Sequence, residues 1–248
     1  MAAALLAKPL TRALRVGCSV TSAPLFRAAA CARRSAVFDS LANEYDNQEK
    51  VDRAADVAKA VRARPWYKPG GGLLDVGAGT GLLTFQLASD FQKVAAFDVS
   101  TGMLDVLNGK AEKSGLTVQT ATDMKELGKF DLIVSLLAFH HIPKPEEALH
   151  NLVKSHVNPG GRVAVIDLVA NDNVRRFHKP EEKIPDHYEY DGFSKETVEA
   201  WYSACGCTDF DWSELPLRKQ LHAGWPRVEP GVEDEEHMFF IASAACPK

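Results

Sequence analysis

The sequence predicts a doubly wound α/β domain with a mostly parallel, seven-stranded sheet that is covered by helices on both faces. Short, continuously apolar segments recur along the chain, and segments with helical spacing of apolar residues lie between them. Strands without polar alternation are typical of parallel sheets buried between helices. A glycine-rich turn at residues 77–81 joins the end of one predicted strand to the start of a predicted helix. Short β-α units of this kind form doubly wound folds.

The predicted elements alternate from residue 38 onward. Helical spacing covers residues 38–63 and ends before Pro65, which cannot continue a helix. The predicted strands are 73–76, 94–97, 117–120, 130–137, 162–168, 207–212 and 238–244. The further predicted helices are 82–89, 102–114, 145–157 and 194–204, the last with Ser194 as its N-cap. We expect one domain over residues 36–248, with residues 213–236 as a loop insert, because that stretch is rich in proline, glycine and acids.

Composition and charge exclude several classes of protein. The chain of 248 residues is 46% hydrophobic and 25% charged, which is typical of a globular protein. Its formal net charge of -4 gives no reason to expect a nucleic-acid partner. No apolar run approaches the roughly 20 residues of a membrane-spanning helix. The five cysteines are scattered without zinc-ligand spacing, so we expect no metal site.

The first residues differ in composition from the rest. No acidic residue precedes Asp39, whereas the same stretch carries Lys8, Arg12, Arg15, Arg27, Arg33 and Arg34 among alanines, serines and threonines. This composition is typical of a mitochondrial transit peptide. We therefore predict that residues 1–35 are a transit peptide or an unstructured tail, with processing near Arg33 and Arg34. The predicted location is mitochondrial, or cytoplasmic if the segment targets nothing.

The stretch "LLDVGAGTGLLT" at residues 73–84 is the strongest local motif. In open α/β sheets, ligands bind beyond the carboxyl ends of the strands, where these glycines are predicted to lie. The dinucleotide pattern requires glycine or alanine at the position of Leu82, and a phosphate-binding P-loop requires a lysine after the glycines. Neither pattern is matched, so the loop does not read as a phosphate site.

Three acids follow the predicted strands and describe a different ligand. Asp75 lies just before the glycines, where a carboxylate suits a cationic group better than a pyrophosphate. Asp98 ends the second strand, where a carboxylate can accept both ribose hydroxyls of a nucleoside. Asp123 follows the third strand and is a candidate for the edge of a base. A ligand with a ribose, a base and a positive group, but without phosphates, is S-adenosylmethionine.

The chain also resembles the class I S-adenosylmethionine-dependent methyltransferases of the small-molecule type. The resemblance rests on "LLDVGAGTGLLT", "VAAFDVS", "ATDM", "FDLIVSLLAFHHIPKPEEALHNL" and "VNPGGRVAVIDL", in the order and spacing of that family, and it covers about residues 36–212. It implies the Rossmann-like methyltransferase fold and methyl transfer from S-adenosylmethionine to a small molecule.

The resemblance also implies a set of cofactor-binding residues. The motif expected along the methionine part of the cofactor comprises Asp75, Gly77, Ala78, Gly79 and Gly81. Asp98 matches the ribose-binding acid, and Asp123 with Met124 matches the adenine contact. Ser135 lies near the end of the fourth strand, beside the transferred methyl group, and Tyr45 lies in an upstream segment that often covers the site.

The catalytic residues and the acceptor are less well defined by the sequence. A general base helps when the acceptor is a hydroxyl or a carbon acid. Candidates are His140 and His141 beyond the fourth strand, Asp167 near the end of the fifth, and His187 in a later loop. The fourth strand ends in "SLLAF" rather than in an Asn/Asp-Pro-Pro-aromatic stretch, which favours a small-molecule acceptor. A protein methyltransferase and a non-catalytic cofactor-binding or assembly protein remain alternatives, while Leu82 disfavours a nicotinamide oxidoreductase.

Overall fold

The computed structural model describes residues 28–171, 174, 177, 189–220 and 234–247. The helices are α1 Ala28–Leu41, α2 Gln48–Arg62, α3 Leu82–Leu87, α4 Thr101–Ser114, α5 Pro145–Ser155 and α6 Lys195–Ala204. The strands are β1 Gly72–Val76, β2 Lys93–Phe97, β3 Gln119–Ala121, β4 Phe130–Leu136, β5 Val157–Leu168, β6 Thr208–Gln220 and β7 Asp234–Ala245.

The strands form one seven-stranded sheet in the order β3-β2-β1-β4-β5-β7-β6. Strands β1 to β5 pair in parallel, and β7 runs antiparallel to both β5 and β6. This confirms the predicted doubly wound, mostly parallel sheet. The strand order reverses between β1 and β4, so their carboxyl ends flank the crevice in which such folds bind ligands.

The central strands bury both of their faces. Successive strand residues point to opposite faces. On one face Leu74 and Ile133 belong to one apolar cluster, and on the other Leu73 and Val134 belong to a second. All five residues of β1 are buried. A strand with two buried faces is mainly apolar, which is why the sequence revealed β1, β4 and the second half of β5.

The predicted helix over residues 38–63 is in fact interrupted. Helix α1 ends at Leu41 and α2 begins at Gln48, with Asn47 between them in an extended conformation. The Asn47 side chain accepts a hydrogen bond from the Lys50 amide at 2.9 Å, which satisfies a free donor of the first turn. Helix α1 begins at Ala28, inside the segment assigned to targeting. Because residues 1–27 lie outside the described part of the chain, the transit peptide stays a prediction.

The predicted loop insert at residues 213–236 is wrong at both of its ends. Strand β6 continues to Gln220 and β7 begins at Asp234, while residues 221–233 lie outside the described residues. The register places Lys219 opposite Glu235, a cross-strand pair of opposite charges, and Leu217 is buried. Pro216 is tolerated because β6 is an edge strand. The charged residues and the proline are therefore the reason why the second half of β6 was not predicted as a strand. Strand β5 also begins before the predicted residue 162, since residues 158–161 lie within it, where the pairing with β4 shifts register.

None of the helices in the described residues is both long enough and apolar enough to cross a membrane.

Candidate cofactor and active site

Two adjoining cavities lie at the carboxyl ends of β1, β2 and β4. Their volumes are about 120 Å³ and about 80 Å³. Both are lined by Tyr45, Gly77, Gly79 and Leu137, so they adjoin at the glycine loop, and we call the two together the groove. The larger cavity adds mainly apolar walls together with Asp98 and His141. The smaller cavity adds Lys50, Arg53, Asp75, Ala78 and Thr80.

Glycine is needed at the three positions of the loop for different structural reasons. Each has a positive φ, +71° at Gly77, +54° at Gly79 and +83° at Gly81, a conformation that other residues rarely adopt. A Cβ at Gly77 would lie 2.4 Å from the Cβ of Ala138, and one at Gly81 would lie 2.8 Å from Leu107 Cγ. A Cβ at Gly79 would meet nothing within 4 Å. Gly77 and Gly81 are therefore required by packing, whereas the open side of Gly79 faces space that a ligand can fill. Gly81 lines neither cavity.

Asp98 is buried and holds the glycine loop against the next turn. One carboxylate oxygen accepts a hydrogen bond from the Gly79 amide at 2.8 Å, and the other accepts from the Ser100 amide at 2.9 Å. Burial raises the pKa of Asp98 above its usual value, while these backbone hydrogen bonds oppose that shift. Each carboxylate oxygen has a second lone pair, so the side chain can still accept ribose hydroxyls in the larger cavity.

Asp75 is a second buried carboxylate, on the wall of the smaller cavity. It accepts a hydrogen bond from the Thr84 hydroxyl at 2.7 Å. Burial raises the pKa of Asp75 to about 7, and the negative charge of Asp98 adds to the effect. A cationic group in the smaller cavity would favour the ionised carboxylate. The site therefore combines a buried acid for a positive charge with an acid suited to hydroxyls.

The segment from Ser35 to Arg53 closes the groove from above. Asp39 accepts hydrogen bonds from the Ser100 hydroxyl at 2.6 Å and from the Gly102 amide at 2.8 Å, and the Ser100 bond lowers the pKa of Asp39. Asp46 accepts from the Thr80 hydroxyl at 2.5 Å and from Lys110 at 2.8 Å. These contacts fasten the covering segment to the glycine loop and to the start of α4.

Residues of this covering segment also form cavity walls. Tyr45, which the sequence predicted as a cover, lines both cavities. Phe38, Lys50 and Arg53 are wall residues that sequence reasoning missed, because helical spacing alone does not reveal which face of a helix meets a ligand.

The structure does not bring every predicted site residue to the groove. Asp123 is exposed and accepts a hydrogen bond from the Lys125 amide at 3.0 Å, capping a short turn. That turn directs Met124 into the apolar core. Ser135 is buried and donates to the Val76 carbonyl at 2.7 Å, which joins β4 to β1. None of these three residues lines either cavity, and His187 lies outside the described residues.

The two candidate histidines occupy different environments. His140 is buried, and its Nδ1 lies 2.6 Å from a carboxylate oxygen of buried Asp167. The His140 amide donates to the other Asp167 oxygen at 3.1 Å. His141 lines the larger cavity, with its ring centroid 4.0 Å from that of His140 and 5.5 Å from that of Phe38. His141 is thus the histidine that can contact an acceptor. The His140 ring packs against the His141 ring, and Asp167 in turn holds His140.

Leu137 marks a strained backbone position beside the same cavities. Its φ is +54°, a value uncommon for a residue with a side chain, and its amide donates to the Ile166 carbonyl at 2.8 Å. Such strain at the carboxyl end of β4 is typical of functional sites. This backbone conformation could not be predicted from the sequence, because leucine does not indicate a left-handed conformation. Among the described residues, no group of three or more His, Cys, Asp or Glu side chains is arranged to hold a metal ion.

The fold is Rossmann-like, and the groove lies where such folds bind ligands. Residues 73–161 match the family model described as "Methyltransferase domain". These residues thus match a methyltransferase domain, in agreement with the resemblance of the sequence to class I S-adenosylmethionine-dependent methyltransferases.

Curated relatives match part of the chain. An uncharacterized methyltransferase of Schizosaccharomyces pombe is 32% identical over 126 residues, which are 46% of this chain and 43% of that protein. The ubiquinone biosynthesis O-methyltransferase of Coxiella burnetii is 30% identical over 96 residues, which are 37% of this chain and 41% of that protein. The corresponding enzyme of Paraburkholderia xenovorans is 32% identical over 111 residues, or 42% and 47% of the two chains. The chain therefore spans less than half the length of these relatives.

Solved structures share the fold at low sequence identity. The YcgJ protein from Bacillus subtilis superposes with a TM-score of 0.62 at 15% identity, covering 79% of this chain and 99% of that one. A phosphoethanolamine N-methyltransferase of Haemonchus contortus, in complex with phosphomonomethylethanolamine and S-adenosylhomocysteine, has a TM-score of 0.57 at 18% identity, covering 78% of this chain and 53% of that one. These likenesses support the architecture alone.

Proposed function

We propose that this protein transfers the methyl group of S-adenosylmethionine to a small-molecule acceptor. The observation that carries the proposal is the groove at the switch point of the sheet, where the open side of Gly79 adjoins the buried carboxylates Asp75 and Asp98. A loop without phosphate-binding features, flanked by two buried acids, suits a nucleoside that carries a positive charge. Relatives named as ubiquinone biosynthesis O-methyltransferases support a small acceptor.

The residues of the groove fit S-adenosylmethionine part by part. Asp98 is placed to accept the ribose hydroxyls, and the apolar wall of Phe97 and Met103 suits the face of a base. Asp75, beyond Gly79 in the smaller cavity, suits the cationic end. When bound, S-adenosylmethionine supplies an electrophilic methyl group on a positively charged sulfur. The chain's own task is to hold the acceptor in line with that methyl group and to exclude water, since alignment provides most of the rate enhancement.

The larger cavity also suggests the chemistry of the acceptor. Its walls beyond the glycine loop are apolar, with Phe38, Ala138 and Ile142, and His141 is the ionisable side chain on that side. We infer that the acceptor has an apolar body and a nucleophilic atom, such as a hydroxyl oxygen, whose proton passes to His141 as the new bond forms. His140 and Asp167 act as positioning residues, because the His140 ring packs against His141 and Asp167 holds His140, while neither lines the cavity.

Calorimetric titration with S-adenosylmethionine tests the cofactor site. We expect Asp98→Ala to weaken binding by about ten- to a hundredfold, since it removes an acceptor for the ribose and frees the Gly79 amide. Asp105→Ala removes an exposed carboxylate from α4 and is the matched control, with unchanged binding expected. Tight binding of NADH with no binding of S-adenosylmethionine would contradict the proposal.

Transfer of a labelled methyl group into a cell extract, followed by identification of the labelled product, tests catalysis. We expect the label in a small molecule. Label in protein would indicate a protein methyltransferase, and cofactor binding without any transfer would indicate a non-catalytic binding protein.

Cofactor affinity is expected to depend on pH through Asp75. Burial raises the pKa of this carboxyl to about 7, so Asp75 is protonated below pH 7 when no ligand is bound. A cationic ligand favours the ionised form, and binding at acid pH must therefore first remove a proton. We expect affinity to rise by up to about tenfold per pH unit as the pH approaches 7, and to level off above it.

Asp75→Asn is the control for this pH dependence, because titration of the ligand's own groups is the same for both proteins. We expect the difference between the two proteins to disappear at acid pH and to grow as the pH rises through 7. The free energy of unfolding should change with pH in the opposite sense. Protonated Asp75 contributes fully to this stability below the pKa of the unfolded chain, and the contribution is lost as the pH rises through the pKa of the folded protein. Parallel pH profiles for the two proteins in both measurements would contradict this role of Asp75.

A further inference from the structure

We propose that Cys207 and Cys246 form a reversible disulfide in exchange with a low-molecular-weight disulfide such as oxidised glutathione. The free thiols of Cys205, Cys207 and Cys246 gather where the end of α6 meets the end of β7. This cluster lies at the edge of the sheet where β5 begins, opposite the cofactor groove, since the Cys246 amide donates to the Gly161 carbonyl. It is therefore separate from the site proposed for methyl transfer, and the proposal does not depend on that function.

The strand register brings the two sulfurs together. Thr208 of β6 pairs with Ala245 of β7, and the two strands are antiparallel. Cys207, which precedes Thr208, therefore faces Cys246, which follows Ala245. Their Sγ atoms lie 3.8 Å apart, already within hydrogen-bond distance for sulfur. A disulfide requires a separation of about 2.0 Å, which side-chain rotation and a small backbone shift can provide.

The surrounding backbone can accommodate that shift. β6 is an edge strand, and its pairing with β7 slips between Thr208 and Asp211. Gly206 precedes Cys207 with a φ of +72°, and a Cβ placed there would contact only Pro247, at 3.7 Å. The start of β6 thus pairs with a neighbouring strand on one side alone and follows a turn, so it is not enclosed between two strands.

The three thiols differ in reactivity. Cys207 is half-buried, and the hydrogen bond with Cys246 lowers the pKa of Cys207. Burial raises the pKa of Cys205 to about 11, and the neighbouring Cys207 adds to that effect. Cys246 is buried, and its hydrogen bond with Cys207 raises its pKa. Cys207 is therefore the thiolate that attacks, because the thiolate is the nucleophile in exchange.

The exchange balances in two steps. The Cys207 thiolate attacks one sulfur of the external disulfide, forming a mixed disulfide and releasing the first thiolate, which takes up a proton. The Cys246 sulfur then attacks Cys207 Sγ, forming the internal bond and releasing the second thiolate, to which the Cys246 proton passes. The two protein thiols lose two electrons, and the external disulfide is reduced to two thiols.

Mass spectrometry of the full chain, equilibrated with oxidised and reduced glutathione and digested without reduction, tests the linkage. We expect a cross-linked peptide joining Cys207 to Cys246 that disappears with dithiothreitol. Cys205→Ser should retain this linkage, and Cys207→Ser should lose it. The bond would close a long loop, so we expect oxidation to raise the melting temperature by about 5 °C or more in the wild type and in Cys205→Ser, but not in Cys207→Ser.

Two outcomes would overturn the proposal. One is glutathione retained on Cys207 without an internal bond, and the other is a linkage that uses Cys205 in place of Cys246. The wild-type peptide map decides between them even if a cysteine variant folds poorly. Because the map assigns each bridge by residue, it also separates this pair from Cys18 and Cys31.

Discussion

Gly79→Ala is expected to lower the affinity for S-adenosylmethionine by at least about tenfold while the protein stays folded. The added methyl group meets no protein atom within 4 Å, so it projects into the groove where the cofactor would lie. A displacement of the ligand that also disturbs the Gly79 amide, which donates to Asp98, costs more than about 1.4 kcal/mol, or tenfold in affinity. Calorimetric titration gives the affinity, and thermal unfolding gives the stability.

Gly115→Ala is the matched control for this experiment. Gly115 ends α4 with a φ of +68°, close to that of Gly79, and an added Cβ there also meets nothing within 4 Å. Both variants should lose about 1 to 2 kcal/mol of stability, since both force alanine into a left-handed conformation. Only Gly79 lines the groove, so only Gly79→Ala should weaken binding. Equal affinities in the two variants would contradict the placement of the cofactor against the glycine loop.

The parts of the fold that the sequence predicted well are those whose residues face one kind of environment. β1 and β4 are buried on both faces, so their mainly apolar sequences can be recognised without knowing which face each residue occupies. β6 instead pairs on one side only and carries charged residues, so its second half resembled a loop. The break between α1 and α2 was missed for a related reason. Asn47 in a polar stretch reads as the exposed face of a helix, and its capping hydrogen bond becomes apparent only in three dimensions.

Candidate site residues could be located from the sequence where a residue type is tied to backbone geometry. Gly77, Gly79 and Asp98 follow strands whose ends could be located, and the structure places all three at the larger cavity. Contacts that depend on docking between distant segments could not be predicted in this way. Phe38 reaches the groove because Asp39 attaches α1 to the start of α4, a contact across 63 residues of chain. Asp123 has the expected position in sequence, but its turn points away from the groove.

His141→Gln is expected to slow methyl transfer by about a hundredfold or more, with little change in cofactor affinity. His141 lies on the apolar side of the larger cavity, away from Asp75, and is the candidate to accept the acceptor's proton. Glutamine keeps much of the polar bulk but cannot take up a proton, and loss of a general base typically costs about 10²- to 10⁴-fold. The rate is measured with the acceptor identified by labelling, and cofactor affinity is measured by calorimetry.

His150→Gln changes an exposed histidine of α5 and serves as the control, with full activity expected. Asp167→Asn separates positioning from catalysis, because Asp167 touches His140 and does not line the cavity. Since breaking a buried hydrogen-bonded pair is costly, we expect Asp167→Asn to lower the free energy of unfolding by about 3 kcal/mol and to reduce kcat with little change in KM. If His141 is the base, the pH dependence of kcat seen in the wild type should persist in Asp167→Asn and vanish in His141→Gln. A pH dependence that survives in His141→Gln would assign proton acceptance to another group.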